Sequence, residues 1–136
     1  MSPFFLQDHT ADVRLNVTGR DEAELFTSAL EGLVAIMGSR KLPPKDHEAL
    51  PFKVTAPDLE SLLVDFLNEA LFIMQSQKVA IGKVVFRALE STSAEGNFTV
   101  TPVTGFTQDV KAATYHDLRI LRRTEGWLET IIVLDI

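Results

Sequence analysis

The ionisable residues best placed to do chemistry stand near the two ends of the sequence. Asp8, His9 and Asp12 fall within "DHTAD", directly before an alternating apolar segment. Asp135 is the second-last residue, and Ile136 then carries the α-carboxylate. If the first and last strands of the fold are neighbours, Asp12, Asp135 and the Ile136 carboxylate come together. An anionic cluster of oxygen ligands favours calcium, magnesium or manganese.

The same residues also have simpler interpretations that involve no metal. Asp135 can be a polar residue of a terminus, and Asp8 a turn or capping residue. The preceding "TIIVL" is strongly apolar, so we expect this end of the chain to be anchored on the sheet. A catalytic zinc site needs three ligands, which His9, His116 and one aspartate would supply, but two histidines without cysteine are not the usual zinc set.

Lys111 is a further candidate, in the segment "DVKAATYHD". On an extended segment Lys111 and Tyr115 point one way and His116 points the other. A lone lysine in a strand is usually solvated. A lysine beside an anionic pocket can instead hold a phosphate or pair with a metal-bound carboxylate.

Length and composition predict one globular domain over residues 1–136, with 46% hydrophobic and 24% charged residues. The absence of cysteine excludes disulfides, thiolate metal sites and a cysteine nucleophile, and it fits the reducing cytoplasm. We expect neither a signal peptide nor a membrane span, because "MSPFFLQDHT" lacks a basic start and no apolar run is long enough. Glycine-rich phosphate loops and the GxSxG and HExxH motifs are missing as well.

The net charge of −6 argues against stable direct binding of nucleic acid. The strongest basic run is "LRILRR", which contains Arg119, Arg122 and Arg123. Such a cluster is usually a solvated strand end or hairpin. We therefore expect any role near RNA to be indirect, through a partner protein that binds the RNA.

Two segments show the 3.6-residue apolar period of a helix, "RDEAELFTSALEGLVAIMG" and "APDLESLLVDFLNEALFIMQSQ". Acidic residues in the first turn and Gly38 at the end mark the bounds of the first helix. Pro57 and Asp58 suit the first turn of the second helix. Its wide apolar stripe predicts packing and no other role.

The remaining segments predict strands. These are "VRLNVTG", "LPFKVTA", "VAIGKVVFRALES", "NFTVTPV", "VKAATYHDLRIL" and "WLETIIVLDI". Glu95-Gly96 is predicted to be a turn, and "SRKLPPKDHEA" a loop. The last strand is apolar on both faces, which indicates a central, doubly covered position. The order predicts an α+β fold, with two helices packed against a largely antiparallel sheet.

Four motifs together resemble the archease family: "DHTADV", "LLVDFLNEALF", "VKAATYHDL" and a terminal "VLDI". They occur in the family's order and cover the chain from about Phe5 to Ile136. The resemblance implies an α+β domain elaborated from strand-helix-strand-strand modules. It also implies an accessory protein and not an enzyme: an activator of the RNA-splicing (tRNA) ligase that promotes its GTP-dependent guanylylation and multiple turnover.

The resemblance further implies a divalent-metal site at Asp12, Asp135 and the Ile136 carboxylate. It makes Lys111 a functional residue and places His9 and His116 in motif positions without a firm role. Two features depart from the family pattern, Arg14 and the segment "TPVTGFTQD" before "VKA", and both bear on the partner surface. Two alternatives stay open: a metal-dependent phosphoesterase, and a chaperone-like binding module with a structural metal site.

Overall fold

A computed structural model describes residues 12–41, 48–115 and 117–136. Asp8, His9 and His116 lie outside the described residues. In chain order the described elements are β1 (Asp12–Gly19), α1 (Glu22–Met37), β2 (Ser39–Lys41), β3 (Glu48–Thr55), α2 (Leu59–Gln77), β4 (Val79–Leu89), β5 (Ser93–Phe106), β6 (Ala112–Thr114), β7 (Leu121–Arg122) and β8 (Leu128–Asp135).

Helix α1 begins and ends where the sequence pattern predicts. The Asp21 carboxylate caps the helix by accepting a hydrogen bond from the Glu24 N–H at 2.8 Å. Gly38 ends it with a φ of 58°, a conformation that favours glycine. Most of the predicted apolar face is buried, namely Leu25, Phe26, Ala29, Leu30, Leu33 and Met37.

Helix α2 is buried over most of its circumference. Asp58 is its N-cap and accepts a hydrogen bond from the Ser61 N–H at 2.7 Å, which lowers the pKa of the Asp58 carboxyl. The buried residues of α2 are Leu62, Leu63, Val64, Phe66, Leu67, Ala70, Leu71, Ile73 and Met74. Within the described residues, neither helix has the length and apolarity needed to cross a membrane.

The strands form two four-stranded sheets, and every described pair is antiparallel. In the first sheet β8 lies between β1 and β6 and also pairs with β7. In the second, the long β5 pairs with β2, β3 and β4. Both helices contact both sheets. The predicted α+β class is thus confirmed, with the antiparallel strands divided between two sheets.

An aromatic cluster joins α1 and α2 to the second sheet. Phe52 and Phe98 stack with ring centroids 4.3 Å apart, and Phe66 lies 5.4 Å from Phe26 and 5.5 Å from Phe86. Phe26, Phe66 and Phe98 are fully buried. Aromatic pairs at these separations contribute stability beyond their area alone, so this cluster anchors the core.

The predicted turn at Glu95-Gly96 is wrong. Both residues lie inside β5, and the chain reverses at residues 90–92. Gly96 is needed for close approach, because a Cβ there would stand 2.0 Å from the carbonyl oxygen of Val85. The adjoining pairing shifts register between Phe86 and Ala88. A Glu-Gly pair therefore marks an irregularity in strand pairing here.

Two other segments differ from their predictions. Ser39–Lys41 is a short strand, β2, and not part of a loop, because it pairs with β5. The predicted strand "VKAATYHDLRIL" is two separate strands, β6 and β7. The predicted central place of β8 is confirmed, but its covering is incomplete because Ile131 is 47% exposed.

Candidate functional site

Asp12 and Asp135 are direct cross-strand partners. The antiparallel register of β1 and β8 sets Asp12 opposite Asp135, so the first and last described strands are neighbours as the metal-site hypothesis requires. Opposed residues share one face of a sheet, and their Cβ atoms lie about 4.5–5.5 Å apart. Asp12 is exposed and Asp135 is half-buried. Two carboxylates therefore stand side by side at one end of the sheet.

The main chain around Asp135 is held from its other side as well. Ala112 of β6 is the second cross-strand partner of Asp135, and the Lys111 N–H donates to the Asp135 carbonyl at 2.7 Å. The Ile136 side chain is half-buried and packs against the core. The main chain of Asp135 is thus held by β1 on one side and by Lys111 and Ala112 on the other. Lys111 itself is exposed.

The donors fit a hard cation by chemistry. Aspartate oxygens are the ligands that calcium, magnesium and manganese prefer. No group of three His, Cys, Asp or Glu side chains in the described part of the chain is arranged to hold a metal. The predicted set contains two such side chains, and its third ligand is a main-chain carboxylate. The assignment of Asp12, Asp135 and Ile136 as ligands stays a prediction.

Helix α2 holds the segment that carries Lys111. The Asn68 side chain donates to the Ala113 carbonyl at 3.0 Å and accepts from the Ala113 N–H at 2.8 Å. Gln75 Nε2 donates to the Val110 carbonyl at 2.7 Å. These side chains take up main-chain hydrogen bonds on both sides of Lys111, which fixes its backbone beside β8.

Tyr115 extends the same set of contacts. Its hydroxyl donates to a carboxylate oxygen of Asp65 on α2. This hydrogen bond, with smaller contributions from burial and nearby negative charge, raises the pKa of Tyr115 to about 12. Tyr115 is 54% exposed although its hydroxyl is held. Tyr115 is therefore an oriented aromatic group on the surface.

Sequence reasoning missed these α2 residues because it assigned the helix to packing alone. Asp65, Asn68 and Gln75 bond to partners 34 to 50 positions away, a separation with no local periodic signal. The available signal was polarity, since Asp65, Asn68 and Gln75 lie on the polar side of a helix whose remaining surface is apolar.

The basic run lies on and around β7, which pairs with the other end of β8. Arg123 forms an ion pair with Glu129, which lowers the pKa of Glu129. Arg122 lies 3.5 Å from a carboxylate oxygen of Glu22. Two of the three arginines thus have carboxylate partners, in line with a solvated, charge-balanced surface. The absence of direct nucleic-acid binding stays a prediction.

Several solved structures have a similar fold, among them a crystal structure and a solution structure. A crystal structure from Thermotoga maritima, described as an archease and possible chaperone, has a TM-score of 0.74 at 22% identity and covers 100% of this chain and 99% of its own. The solution structure of Methanobacterium thermoautotrophicum protein 1598 has a TM-score of 0.66 at 23% identity, with 96% of each chain covered. These likenesses define the fold class.

Sequence comparison is more specific. The family described as Archease protein family (MTH1598/TM1083) matches residues 4–136. Protein archease of Methanosarcina acetivorans is 30% identical over 137 residues, covering 93% of this chain and 91% of the relative. Protein archease of Thermococcus gammatolerans is 31% identical, covering 92% and 93%. The chain belongs to the archease family.

Proposed function

We propose that this protein is an accessory factor that activates an RNA-splicing ligase and is not itself an enzyme. It promotes GTP-dependent guanylylation of the ligase and its repeated turnover, and it works in the cytoplasm. The observation that carries the proposal is the direct opposition of Asp12 and Asp135 in a chain of this family. Lys111, beside this pair, takes part in activation.

Asp12, Asp135 and the Ile136 carboxylate would hold one divalent cation, either calcium, magnesium or manganese. The cation, when bound, supplies positive charge to which phosphate oxygens of a nucleotide are attracted. The protein's own residues hold the site in shape. Pairing with β1 and β6 fixes the backbone of Asp135 on both sides, so its carboxylate needs little reordering when the partner docks. His9 and His116 adjoin the site in sequence, and we propose them as pocket residues.

The test is a guanylylation assay. The RNA-splicing ligase of the same organism is incubated with labelled GTP and Mn²⁺, with and without this protein, and the labelled ligase is quantified over time. We expect faster and more complete labelling with the wild-type chain. Asp12→Asn should abolish this gain, because it removes one anionic ligand. No acceleration by the wild-type chain would refute the proposal.

Two controls separate the metal site from general damage. Glu129→Gln removes a half-buried carboxylate near the opposite end of β8 and should leave activation intact. A short extension after Ile136 converts the terminal carboxylate to an amide, and we expect it to abolish activation while the far-UV circular dichroism is unchanged. Full activation by the extended chain would remove Ile136 from the ligand set.

The same preparations address the alternatives. Hydrolysis of nucleotides or cyclic phosphates by the purified chain without ligase would favour a phosphoesterase. A binding module with a structural metal site predicts that Asp12→Asn, and wild type in the presence of chelator, lose cooperative thermal unfolding. An activator that uses the metal in docking predicts lost activation by Asp12→Asn, while the variant and wild type unfold cooperatively at the same melting temperature in chelator.

A further inference from the structure

Phe72 is the most exposed large apolar side chain in the described part of the chain, at 65%, and Tyr115 follows at 54%. Phe72 stands on α2, which is otherwise buried over most of its surface. An exposed phenylalanine contributes little to the core of its own chain. Exposed aromatic side chains that form a patch are typical of protein interaction surfaces.

Hydrogen bonds align Phe72 with the segment that carries Lys111. Asn68 bonds to Ala113, and Gln75 bonds to Val110. From Asn68 to Gln75 the helix advances about 10.5 Å, which matches the roughly 10 Å of three extended residues. Helix and segment therefore run antiparallel side by side. Phe72, about 6 Å beyond Asn68, comes level with Lys111.

Phe72 also shares the contact face of α2. At 100° per residue, Asp65, Asn68, Phe72 and Gln75 fall within an arc of about 80°. The three polar members of this arc bond to the 110–115 segment. The fourth, Phe72, remains exposed. Because Asp65 fixes the Tyr115 hydroxyl, the Tyr115 ring is oriented before any partner arrives, at a point about 10 Å along the helix from Phe72.

We propose that Phe72 and Tyr115 are the apolar anchors by which this protein docks on the RNA-splicing ligase. The inference rests on the proposed function and adds the contact surface to it. Two carboxylates, Asp65 and Glu69, share the helix with Phe72, while Lys111, level with Phe72, adds one positive charge. A ligase that binds GTP and RNA has a basic surface around its active site. Its matching surface is an apolar pocket rimmed by lysine or arginine.

The test measures binding directly. The affinity of this chain for immobilised ligase is determined by biolayer interferometry with wild type, Phe72→Ser and Val85→Ser. Val85 is a matched control because it is 51% exposed but lies on β4 of the other sheet. We expect Phe72→Ser to raise Kd about tenfold or more, as truncation of an aromatic anchor does. Val85→Ser should stay within about twofold.

Two further measurements interpret the result. The affinity for Mn²⁺, from titration calorimetry, and the melting temperature should be the same in Phe72→Ser and wild type. Equal ligase affinities for Phe72→Ser and Val85→Ser would overturn the docking surface. If wild type self-associates in sedimentation equilibrium and Phe72→Ser does not, the surface binds a second copy of this chain. That result would also overturn the proposed docking on the ligase. A wild-type chain that binds through Phe72 without accelerating guanylylation would refute the proposed function and leave the docking surface standing.

Discussion

The carboxylates at the two ends of β8 lie in opposite electrostatic environments. Near the start of the strand, Glu129 pairs with Arg123, and its pKa is lowered by that partner. At the end of the strand, Asp135 stands directly opposite Asp12, a residue of the same charge. The same strand thus contains one neutralised carboxylate and one that is set against another carboxylate.

This contrast is what the proposed metal site at the Asp135 end predicts. Opposite charges across a ladder stabilise a sheet, whereas like charges directly opposite destabilise it, by roughly 0.2–1 kcal/mol. Proteins retain such local conflicts mainly at sites of function. The proposed cation would neutralise the Asp12–Asp135 pair, whereas Glu129 is balanced within the chain by Arg123.

The largest expected effect concerns metal binding. Asp135→Asn should weaken Mn²⁺ binding about 100-fold, since loss of a mere outer-shell partner already costs 10–100-fold. Glu129→Gln should leave the affinity unchanged. The measurement is the rise in melting temperature with added Mn²⁺, which reports binding to the folded state. An equal loss in both variants would erase the distinction between the two ends.

A smaller effect concerns the support that α2 gives to the Asp135 end. Asn68→Ala removes two hydrogen bonds and leaves the main chain of Ala113, which is buried, without these partners. We expect the free energy of unfolding to fall by about 2 kcal/mol. Urea denaturation measures it. The control is Gln77→Ala, which removes an exposed side-chain amide from the last residue of the same helix and should change this free energy by less than about 0.5 kcal/mol. Equal stabilities of the two variants would contradict this role of Asn68.

The smallest effect is a titration near the same end. Tyr115 is the chain's single tyrosine, so absorbance near the phenolate band follows it alone. Its midpoint should lie at about 12, and Asp65→Ala should lower it towards 10.0. Because the pKa of Tyr115 is higher in the folded state, its hydrogen bond to Asp65 contributes fully to the free energy of unfolding below pH 10. This contribution declines as pH rises towards 12. Glu129→Gln should leave the midpoint unmoved, and an unshifted midpoint in Asp65→Ala would remove Asp65 as the cause.

Helices were predictable because their signals are local. The caps at Asp21 and Gly38 and the apolar period of α1 all lie within the segment itself. The position of the turn between β4 and β5 was not predictable in this way, because Glu95-Gly96 has the composition of a turn but lies inside β5. Its actual role depends on the backbone of Val85 in the neighbouring strand, and sequence spacing carries no record of that approach.

The candidate site was predictable in part for a similar reason. An aspartate beside each terminal strand suggested that Asp12 and Asp135 meet, and the register of β1 and β8 sets them opposite each other. The contribution of α2 was not predictable, because Asn68 reaches a main-chain amide 45 positions away. Hydrogen bonds between a side chain and a distant backbone depend on the packed arrangement of elements, which a linear pattern does not contain.

The position of β8 has a consequence for the order of folding. The second sheet is assembled from β2 to β5, which follow one another in the chain with α2 among them. The first sheet joins β1 to β8 across all the other described elements. Pairing over such a separation carries a large loop-closure entropy and is slow compared with local pairing. We therefore expect the Asp12–Asp135 pair to form late, and during synthesis on the ribosome β1 has no pairing partner among the described strands until β8 emerges.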